Sequence, residues 1–321
     1  MNNLKTHLKS LQQRLVEKLN RLPSTGKHRA IVVGAFSFHD WWATFGDTEA
    51  MQVVAEWLTD AGISYDLACD MTNGTAGVDL HSINPQDYTI FIYVCGPWND
   101  AKGSSFISRF NHCVKIGVNL TVLNEHSHGF DALYPRDLND LCNPDLAFAR
   151  NTTVSSTVVG VCLVHPQEEY GDRQRHGLVM EGVNNFFNGG NAVQIAIDTL
   201  WVNNPTSTRS IQQFESLISR VDYVISSRLH GLVLSLRSGV PVIAIDPIQG
   251  GGKVTAQAKA INWPFLIAAE DVSAQAIAEM SSRCLDGSIK ADIENSQRLA
   301  AEYVQRTRTA FINYVKGYRQ D

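Results

Sequence analysis

Short, continuous apolar runs divide the first half of the chain, and such runs are typical of strands that a parallel sheet buries on both faces. The clearest of them are Arg29–Phe36, Ile63–Cys69, Asp87–Gly96 and Val118–Asn124. After the first run, apolar residues recur at helical spacing, which predicts a helix capped by Asp47 or Thr48 and ended by Gly62. Helical spacing also marks Ser104–Gly117. This alternation predicts a parallel sheet with right-handed crossovers.

The second half repeats this pattern of alternating strands and helices. Its strands are expected at Ser156–His165, Asn191–Leu200, Val221–Ser227 and Pro241–Asp246. Periodicity alone leaves a helix open as the alternative for Asn191–Leu200. Ser210 and Gln213 form a capping-box pattern before a further helix, and Val272–Tyr318 is helical in pattern. The predicted fold class is therefore α/β, with two Rossmann-like domains facing across a cleft where ligands meet the carboxyl ends of the strands.

Helical segments are also predicted at both ends of the chain. Leucines at helical spacing between Leu4 and Leu19 indicate an amphipathic helix that packs on its own domain or on a subunit of a homo-oligomer. The polar, turn-rich stretch Asn143–Ser156 is the expected linker between the domains. The predicted order is an N-terminal helix at 1–27, a Rossmann-like domain at 28–150, a second one at 151–290, and a C-terminal helix at 291–321.

Composition narrows the class of protein. A length of 321 residues favours two domains, and 44% hydrophobic with 18% charged residues is typical of a globular protein. A net charge of −5 argues against nucleic acid as the main partner, and no apolar run approaches the roughly 18 residues of a membrane span. The six cysteines are scattered without a Cys-x-x-Cys pair, which favours reduced thiols and a cytoplasmic location.

The stretch SSRLHGLVLSLRSGVPVIAI (Ser226–Ile245) places an arginine and a histidine inside apolar sequence. Its spacing predicts a strand, a tight turn, a short helix stopped by Gly239, and a further strand. Arg228 and His230 then lie at the carboxyl edge of the sheet, where free N–H groups and the helix dipole favour an anion. Gly231 would let a ligand or a neighbouring backbone approach closely. The structural alternative is that both charged side chains bind strand-end carbonyl groups.

Two further segments at this edge carry charge. In Asp246–Val254, three glycines precede Lys253; this loop would suit a phosphate, although its spacing is not that of a Walker motif. A mobile surface loop is the alternative interpretation. The charged segment Leu163–Leu178 is predicted to be a loop that turns Arg173 and His176 toward the cleft. A solvated loop is the commoner meaning of such a run.

The segment VDYVISSRLHGLVLSLRSGVPVIAID, with a lysine shortly after it, closely resembles the C-terminal signature of the polysaccharide pyruvyl transferase family. Upstream, NPDLAFAR, PRDLNDL and FGDTEAMQVVAEWL resemble shorter segments of the same family in the same order. The resemblance spans roughly residues 28–260, and its specific part is the Arg-Leu-His-Gly block. The first turn lacks the asparagine that the family usually has there, and the loop Cys95–Asp100 gains a tryptophan.

The resemblance implies a fold similar to the two-domain GT-B glycosyltransferases and an enzyme that uses phosphoenolpyruvate as donor substrate, without a metal or other cofactor. It would form a pyruvate ketal on two hydroxyls of a sugar. His230 is the candidate general acid, assisted by Arg228, and Asp47 would orient or deprotonate an acceptor hydroxyl unless it only caps a helix. The implied donor-binding residues are Arg228, Ser227, Gly231, Lys253 and Arg136.

The implied acceptor is a sugar or glycan. Aromatic rings stack on sugars but also pack between domains, so both interpretations stand for the tryptophans. The candidate acceptor residues are Trp41, Trp42, Trp98 and Arg173. Two other functions stay open. One is a GT-B glycosyltransferase or a nucleotide-sugar epimerase, and the other is a non-catalytic sugar-binding protein of the same fold.

Overall fold

A computed structural model of the chain describes residues 28–38, 43–68, 77–79, 82–98, 106–123, 129–151, 156–190 and 192–318. The predicted N-terminal helix at 1–27, together with Trp41 and Trp42, lies outside the described residues. By its internal contacts the chain divides into two compact units, Met1–Thr153 and Val154–Asp321. This division falls inside the expected linker Asn143–Ser156.

The first unit is built on a parallel sheet with the strand order β2-β1-β3-β5-β7. Short strands β4, β6, β8 and β9 form a second, smaller sheet. The elements of this unit are β1 (Arg29–Gly34), α1 (Phe45–Asp60), β2 (Ser64–Leu67), β3 (Ile90–Val94), β4 (Pro97–Trp98), β5 (Val114–Val118), β6 (Thr121–Val122), β7 (Ala132–Tyr134), β8 (Asp137–Leu138) and β9 (Leu141–Cys142). The buried central strands β1 and β3 pair in parallel, with Ala30 opposite Ile90.

Two details of this unit differ from the prediction. The segment Ser104–Gly117 is helical where its description begins, with Phe106 and Ile107 in α-helix and a 3-10 turn at Ser108–Phe110, but strand β5 begins at Val114. The helix was predicted to extend too far, because Val114 and the residues after it continue the apolar pattern as a strand of the sheet. The N-cap of α1 is Thr44 rather than Asp47 or Thr48.

The second unit holds another all-parallel sheet, with the order β11-β10-β12-β13-β14. The segment Asn191–Leu200, for which a helix was the alternative, contributes strand β11, whose Val193 lies opposite Val158 of β10. The elements are β10 (Thr157–Cys162), α2 (His176–Asn188), β11 (Ala192–Ala196), α3 (Ile211–Ile218), β12 (Tyr223–Ser226), α4 (Leu229–Arg237), β13 (Val242–Asp246), α5 (Lys253–Ala260), β14 (Leu266–Ala268), α6 (Ala274–Leu285) and α7 (Lys290–Tyr318).

Each unit has its own hydrophobic core. In the second unit, Val224 and Ile225 of β12, Ile243 of β13 and Leu232 of α4 are completely buried in one cluster. Burying such a side chain contributes about 1.5–3 kcal/mol. The core thereby fixes α4 against two strands, with its first turn at the carboxyl ends of those strands. The fold is thus α/β, with two Rossmann-like units and a long C-terminal helix.

In a parallel sheet, the loops that leave the strands all meet at the carboxyl edge. In the second unit these loops follow β10, β11, β12 and β13. Arg228 lies in one of these loops, and His230 and Lys253 lie in the first turns of the helices that follow them. Within the described part of the chain, no helix is both long and apolar enough to span a membrane.

Candidate functional site

The turn between β12 and α4 is organised by a buried serine. Ser226 Oγ accepts a hydrogen bond from the Arg228 backbone N–H (3.1 Å) and donates one to the Arg228 carbonyl oxygen (2.9 Å). A Cβ atom at Gly231 would lie 2.1 Å from Ser226 Oγ and 3.1 Å from Cys162 Sγ. The close approach expected at Gly231 is therefore made by a serine side chain of this chain rather than by a backbone segment.

Arg228 is paired with a buried carboxylate that follows β11. Its Nε lies 3.0 Å from Asp198 Oδ1, and its Nη2 donates to Asp198 Oδ2 at 3.1 Å. The two side chains are only 13% and 4% exposed, so each neutralises a charge that would be unfavourable alone. Nε is also 3.2 Å from the Leu163 carbonyl oxygen, a strand-end carbonyl of the kind considered above. Nη1 has no partner among the described residues.

Asp198 was not identified from the sequence. The signal was available, because Asp198 comes directly after an apolar run that ends at the same edge of the sheet as Arg228. The pairing itself requires the strand order, which places β11 and β12 on either side of β10.

His230 occupies the first turn of α4, and its side chain is exposed. The N–H groups of Leu229, His230 and Gly231 begin this helix, and none of them has an acceptor among the described residues. Unpaired N–H groups at a helix start carry a partial positive charge that attracts anions. The predicted anion site at this turn therefore retains its backbone donors, while Arg228 already has a carboxylate partner.

A cavity of about 400 Å³, here called the His176 cavity, lies at the carboxyl edge of the second sheet. Its walls include Leu163, Val164, His165, His176, Met180, Ser227 and Pro247. Both ring nitrogens of His176 are buried and have no partner among the described residues. Burial, and then the charge of His165, lower the pKa of His176 below its ordinary value of 6.5. The lowered pKa favours the neutral ring, and its unpartnered nitrogens can form a hydrogen bond with a ligand.

Ser227 and His165 connect this cavity to the arginine pair. Ser227 Oγ accepts the Val164 backbone N–H at 2.8 Å, which leaves its hydroxyl hydrogen available to a ligand. His165 is exposed, and its Nε2 lies 3.9 Å from Asp198 Oδ2. The cavity thus gathers two imidazoles and a hydroxyl next to the Arg228–Asp198 pair.

The glycine-rich loop is held by Asp246, which is completely buried. Asp246 Oδ2 accepts the N–H groups of Gly252 and Thr255, both at 2.7 Å, and Oδ1 accepts the Ile248 N–H at 3.1 Å. These amides are not free to cradle a phosphate, and the loop is anchored rather than a free surface loop. The sequence did not indicate this role of Asp246, because three glycines before a lysine are also typical of a loop that binds a ligand.

Lys253 is a predicted donor-binding residue and Arg173 a predicted acceptor-binding residue. Both lie near the ring of Tyr170. Lys253 Nζ lies 6.0 Å and Arg173 Cζ 5.8 Å from the centre of the Tyr170 ring, within or near the range of cation–π attraction. Arg173 also accepts the Gln249 N–H through its carbonyl oxygen at 2.8 Å. The charged segment therefore packs against the glycine-rich loop, and both cations lie on exposed side chains.

Two predicted residues of the first unit, Asp47 and Arg136, have structural partners. Asp47 Oδ2 accepts the backbone N–H (2.7 Å) and the hydroxyl (2.9 Å) of Thr44, which closes the start of α1. Arg136 lies between Asp137 (3.2 Å) and Asp145 (2.9 Å), so its charge is balanced within the unit. These contacts account for both residues without a ligand.

Trp98 requires a correction. Its side chain is buried, with ring centres 4.9 Å from Tyr93 and 4.7 Å from Phe130. A tryptophan enclosed by aromatic neighbours has no face to offer a sugar, so Trp98 belongs to the core of the first unit. The sequence suggested a sugar contact because Trp98 is an added aromatic residue in the loop Cys95–Asp100 after a predicted strand.

The fold and the gathered polar groups define an α/β protein whose candidate site lies at the carboxyl edge of a parallel sheet. A family model described as polysaccharide pyruvyl transferase matches residues 55–248, more than half of the chain. The chain therefore belongs to the polysaccharide pyruvyl transferase family and is a transferase that acts on sugar substrates. No curated protein sequence matches the chain as a relative.

Solved structures give distant matches. The UDP-GlcNAc 2-epimerase from Methanocaldococcus jannaschii is 10% identical, with a TM-score of 0.31, covering 87% of this chain and 99% of the epimerase. A periplasmic sugar-binding protein of an ABC transporter from Legionella pneumophila is also 10% identical, with a TM-score of 0.26, covering 80% of this chain and 94% of that protein. Likenesses at these scores identify no function.

Proposed function

We propose that this protein transfers a pyruvyl group from phosphoenolpyruvate to two hydroxyls of a sugar in a polysaccharide or its precursor, forming a pyruvate ketal. In this reaction the methylene carbon of the donor gains a proton, and two new bonds form between the central carbon and sugar oxygens. The bond from that carbon to the phosphate oxygen breaks, and phosphate leaves. Family membership supports the transferase class, and the carboxyl edge of the second unit supports the choice of donor.

The observation that carries the proposal is the start of α4. Three unpaired N–H groups, of Leu229, His230 and Gly231, lie directly after Ser227, which lines the His176 cavity. Phosphoenolpyruvate has two anionic groups, and such N–H groups stabilise negative charge without themselves carrying a full charge. We propose that Arg228 adds its Nη1 to this set while Asp198 holds the rest of its guanidinium in place.

His230 is proposed as the general acid. Its exposed imidazole extends from the turn that would hold the donor, and a side chain so placed can deliver the proton that the methylene carbon needs. Lys253 and Arg173, both near the ring of the same tyrosine, would attract the anionic donor from solvent. The roles of Asp47 and Arg136 stay predictions, because their present partners already explain their positions. Cys95, Cys142, Cys162 and Cys284 are free thiols, in keeping with the proposed cytoplasmic location.

The test measures thermal stabilisation of the full chain by phosphoenolpyruvate, UDP and UDP-sugars, which requires no knowledge of the acceptor. A ligand at about 100 times its Kd stabilises the folded state by about 2.7 kcal/mol. We expect phosphoenolpyruvate to stabilise the wild type, and His230→Ala to reduce that effect. Arg237→Ala, which removes an exposed cation from the last turn of the same helix, is the matched control and should retain it.

Stabilisation by UDP compounds alone would overturn the proposal in favour of a glycosyltransferase or an epimerase. Phosphate release from phosphoenolpyruvate in the presence of a glycan then separates an enzyme from a sugar-binding protein. An enzyme that uses His230 as general acid should lose about 10²–10⁴-fold in rate in the alanine variant.

A further inference from the structure

The loop from Ile197 to Ser210, which follows β11, presents a tryptophan to solvent. Trp201 is 88% exposed, and the neighbouring Val202 is also exposed. Tryptophan has a large apolar surface that folding normally covers, and an exposed ring at a defined place is common at binding sites. Trp201 belongs to the unit that carries Arg228 and His230.

This loop is fixed by side-chain hydrogen bonds. Asn204 Nδ2 donates to the carbonyl oxygens of Asp198 (3.2 Å) and Leu200 (2.8 Å), and Asn204 Oδ1 accepts the Thr206 N–H at 2.8 Å. Thr208, which is buried, donates its hydroxyl to the same Asp198 carbonyl at 3.3 Å. The backbone on both sides of Trp201 is therefore held, so its exposure is a feature of an ordered loop.

A cavity of about 390 Å³, here called the Trp201 cavity, is lined in part by Trp201. Phe214 and Leu234 contribute apolar wall, while Arg209 and Gln212 contribute polar groups. Arg209 uses its Nη1 to bind carbonyl oxygens of its own loop, Thr208 O at 2.9 Å among them. Its Nε and Nη2, and the amide of Gln212, have no partner among the described residues. Hydrogen-bond donors and acceptors therefore remain available in the cavity that Trp201 lines.

We propose that the Trp201 cavity binds a neutral pyranose unit of the acceptor glycan, a subsite that rests on the proposed function. The C–H face of a pyranose ring is apolar and would stack on Trp201, while its hydroxyls would bind Arg209 and Gln212. Both cavities adjoin the same carboxylate, because Asp198 lines the Trp201 cavity and lies 3.9 Å from His165 of the His176 cavity. An acceptor held here lies next to the pair that supports the donor site.

This assignment places the acceptor in the second unit, whereas three of its four sequence candidates, Trp41, Trp42 and Trp98, belong to the first. The site is concave, and Trp201 lines it together with polar groups that have no partner among the described residues. This combination favours a sugar over a protein partner. A protein contact would need no such polar groups and would bury a broader apolar surface.

The experiment uses the full chain labelled with 5-fluorotryptophan and follows its ¹⁹F resonances. The probes are methyl β-D-galactopyranoside, methyl β-D-glucopyranoside and methyl β-D-mannopyranoside, and Trp201→Phe assigns the Trp201 signal. We expect at least one glycoside to shift that signal. Affinity for this glycoside, followed by its own ligand resonances, should fall about three- to tenfold in Trp201→Ala. Gln212→Ala, which keeps the ring, should weaken binding roughly two- to tenfold.

Trp57→Ala is the matched control, since Trp57 is an exposed tryptophan on α1 of the other unit; it should leave glycoside affinity unchanged. The inference is overturned if none of the three glycosides shifts the Trp201 signal. It is also overturned if Trp201→Ala changes the oligomeric state, which would assign the ring to a protein contact. Stabilisation by phosphoenolpyruvate, measured on the same variants, tests the proposed function separately, because Trp201 does not touch the donor site.

Discussion

At the scale of single residues, the second unit depends on charges that neutralise one another. Arg228 and Asp198 come from loops after different strands, and neither is exposed enough for water to solvate it fully. The sequence identified Arg228 because an arginine in apolar sequence is unusual. It did not identify Asp198 or the strand-end contact to Leu163, because those depend on which strands are neighbours.

Arg228→Ala is expected to destabilise the folded state by about 3–5 kcal/mol, because it leaves the Asp198 carboxylate buried without its partner. Urea unfolding measures the loss. The double variant Arg228→Ala/Asp198→Ala should recover part of it. Arg237→Ala removes an exposed pair with Glu215 and should lose less than about 1 kcal/mol. Equal losses in Arg228→Ala and Arg237→Ala would contradict a buried ion pair.

His176 gives the second unit a defined pH response. Its pKa is lowered in the folded state by burial and by His165, so the unfolded chain binds its proton more readily. This difference leaves the stability of the folded state unchanged above the ordinary pKa of 6.5. Stability is then lost as the pH falls below that value. The fall in Tm between pH about 7.5 and about 5.5 should be smaller in His176→Gln than in the wild type.

His165→Gln provides the comparison for this prediction. It removes the repulsion between the two imidazoles but keeps the burial of His176, which is the larger cause of the lowered pKa. Most of the pH response should persist in this variant. A wild-type response in His176→Gln would show that another group causes the loss of stability at low pH.

At the scale of elements, the start of α5 shows how one carboxylate organises a glycine-rich loop. Asp246→Asn keeps Oδ1 for Ile248 but replaces the oxygen that accepts the Gly252 and Thr255 N–H groups. Hydrogen bonds to a charged acceptor contribute about 1.5–3 kcal/mol each, so losing two of them is expected to cost about 3–6 kcal/mol.

Hydrogen exchange over residues 246–260 measures this effect, and the amides at the start of α5 should exchange faster in Asp246→Asn. Asp271→Asn, an exposed carboxylate between β14 and α6, is the control and should leave that exchange unchanged. Unchanged exchange in Asp246→Asn would mean that the glycines hold the loop without the carboxylate.

The periodicity of apolar residues predicted some helices and strands correctly and misplaced the end of another. The turn, helix and strand around Arg228 were predicted because α4 buries Leu232 and Leu236 at helical spacing and stops at Gly239, whose φ is +73°. The helix predicted over Ser104–Gly117 extended too far, since the apolar residues from Val114 onward belong to β5 and a short run carries no reliable period.

At the scale of the whole molecule, each of the two units has a hydrophobic core of its own. The large apolar cluster around Ile225 and Leu232 contains residues of the second unit alone, and those around Phe91 and Val32 contain residues of the first. A domain with its own core can fold independently.

The fragment 154–321 is therefore expected to fold by itself, with one cooperative unfolding transition in urea and native-like circular dichroism. Phosphoenolpyruvate should stabilise this fragment as well, since the proposed donor residues all lie in it except Arg136. A fragment without a cooperative transition would contradict the independence of its core. A folded fragment that ignores phosphoenolpyruvate would show that the donor site needs the first unit.

The sequence by itself determined the α/β class, the order of most strands and helices, and the turn that carries Arg228 and His230. It could do so because burial imposes local periods and because helix starts and stops need particular residues. Only the tertiary structure decided what these side chains meet. It paired Arg228 with Asp198, gave the amides of the glycine-rich loop to Asp246, enclosed Trp98, and left Trp201 exposed. Such contacts join residues far apart in the chain, and strand order and packing set them rather than any local pattern.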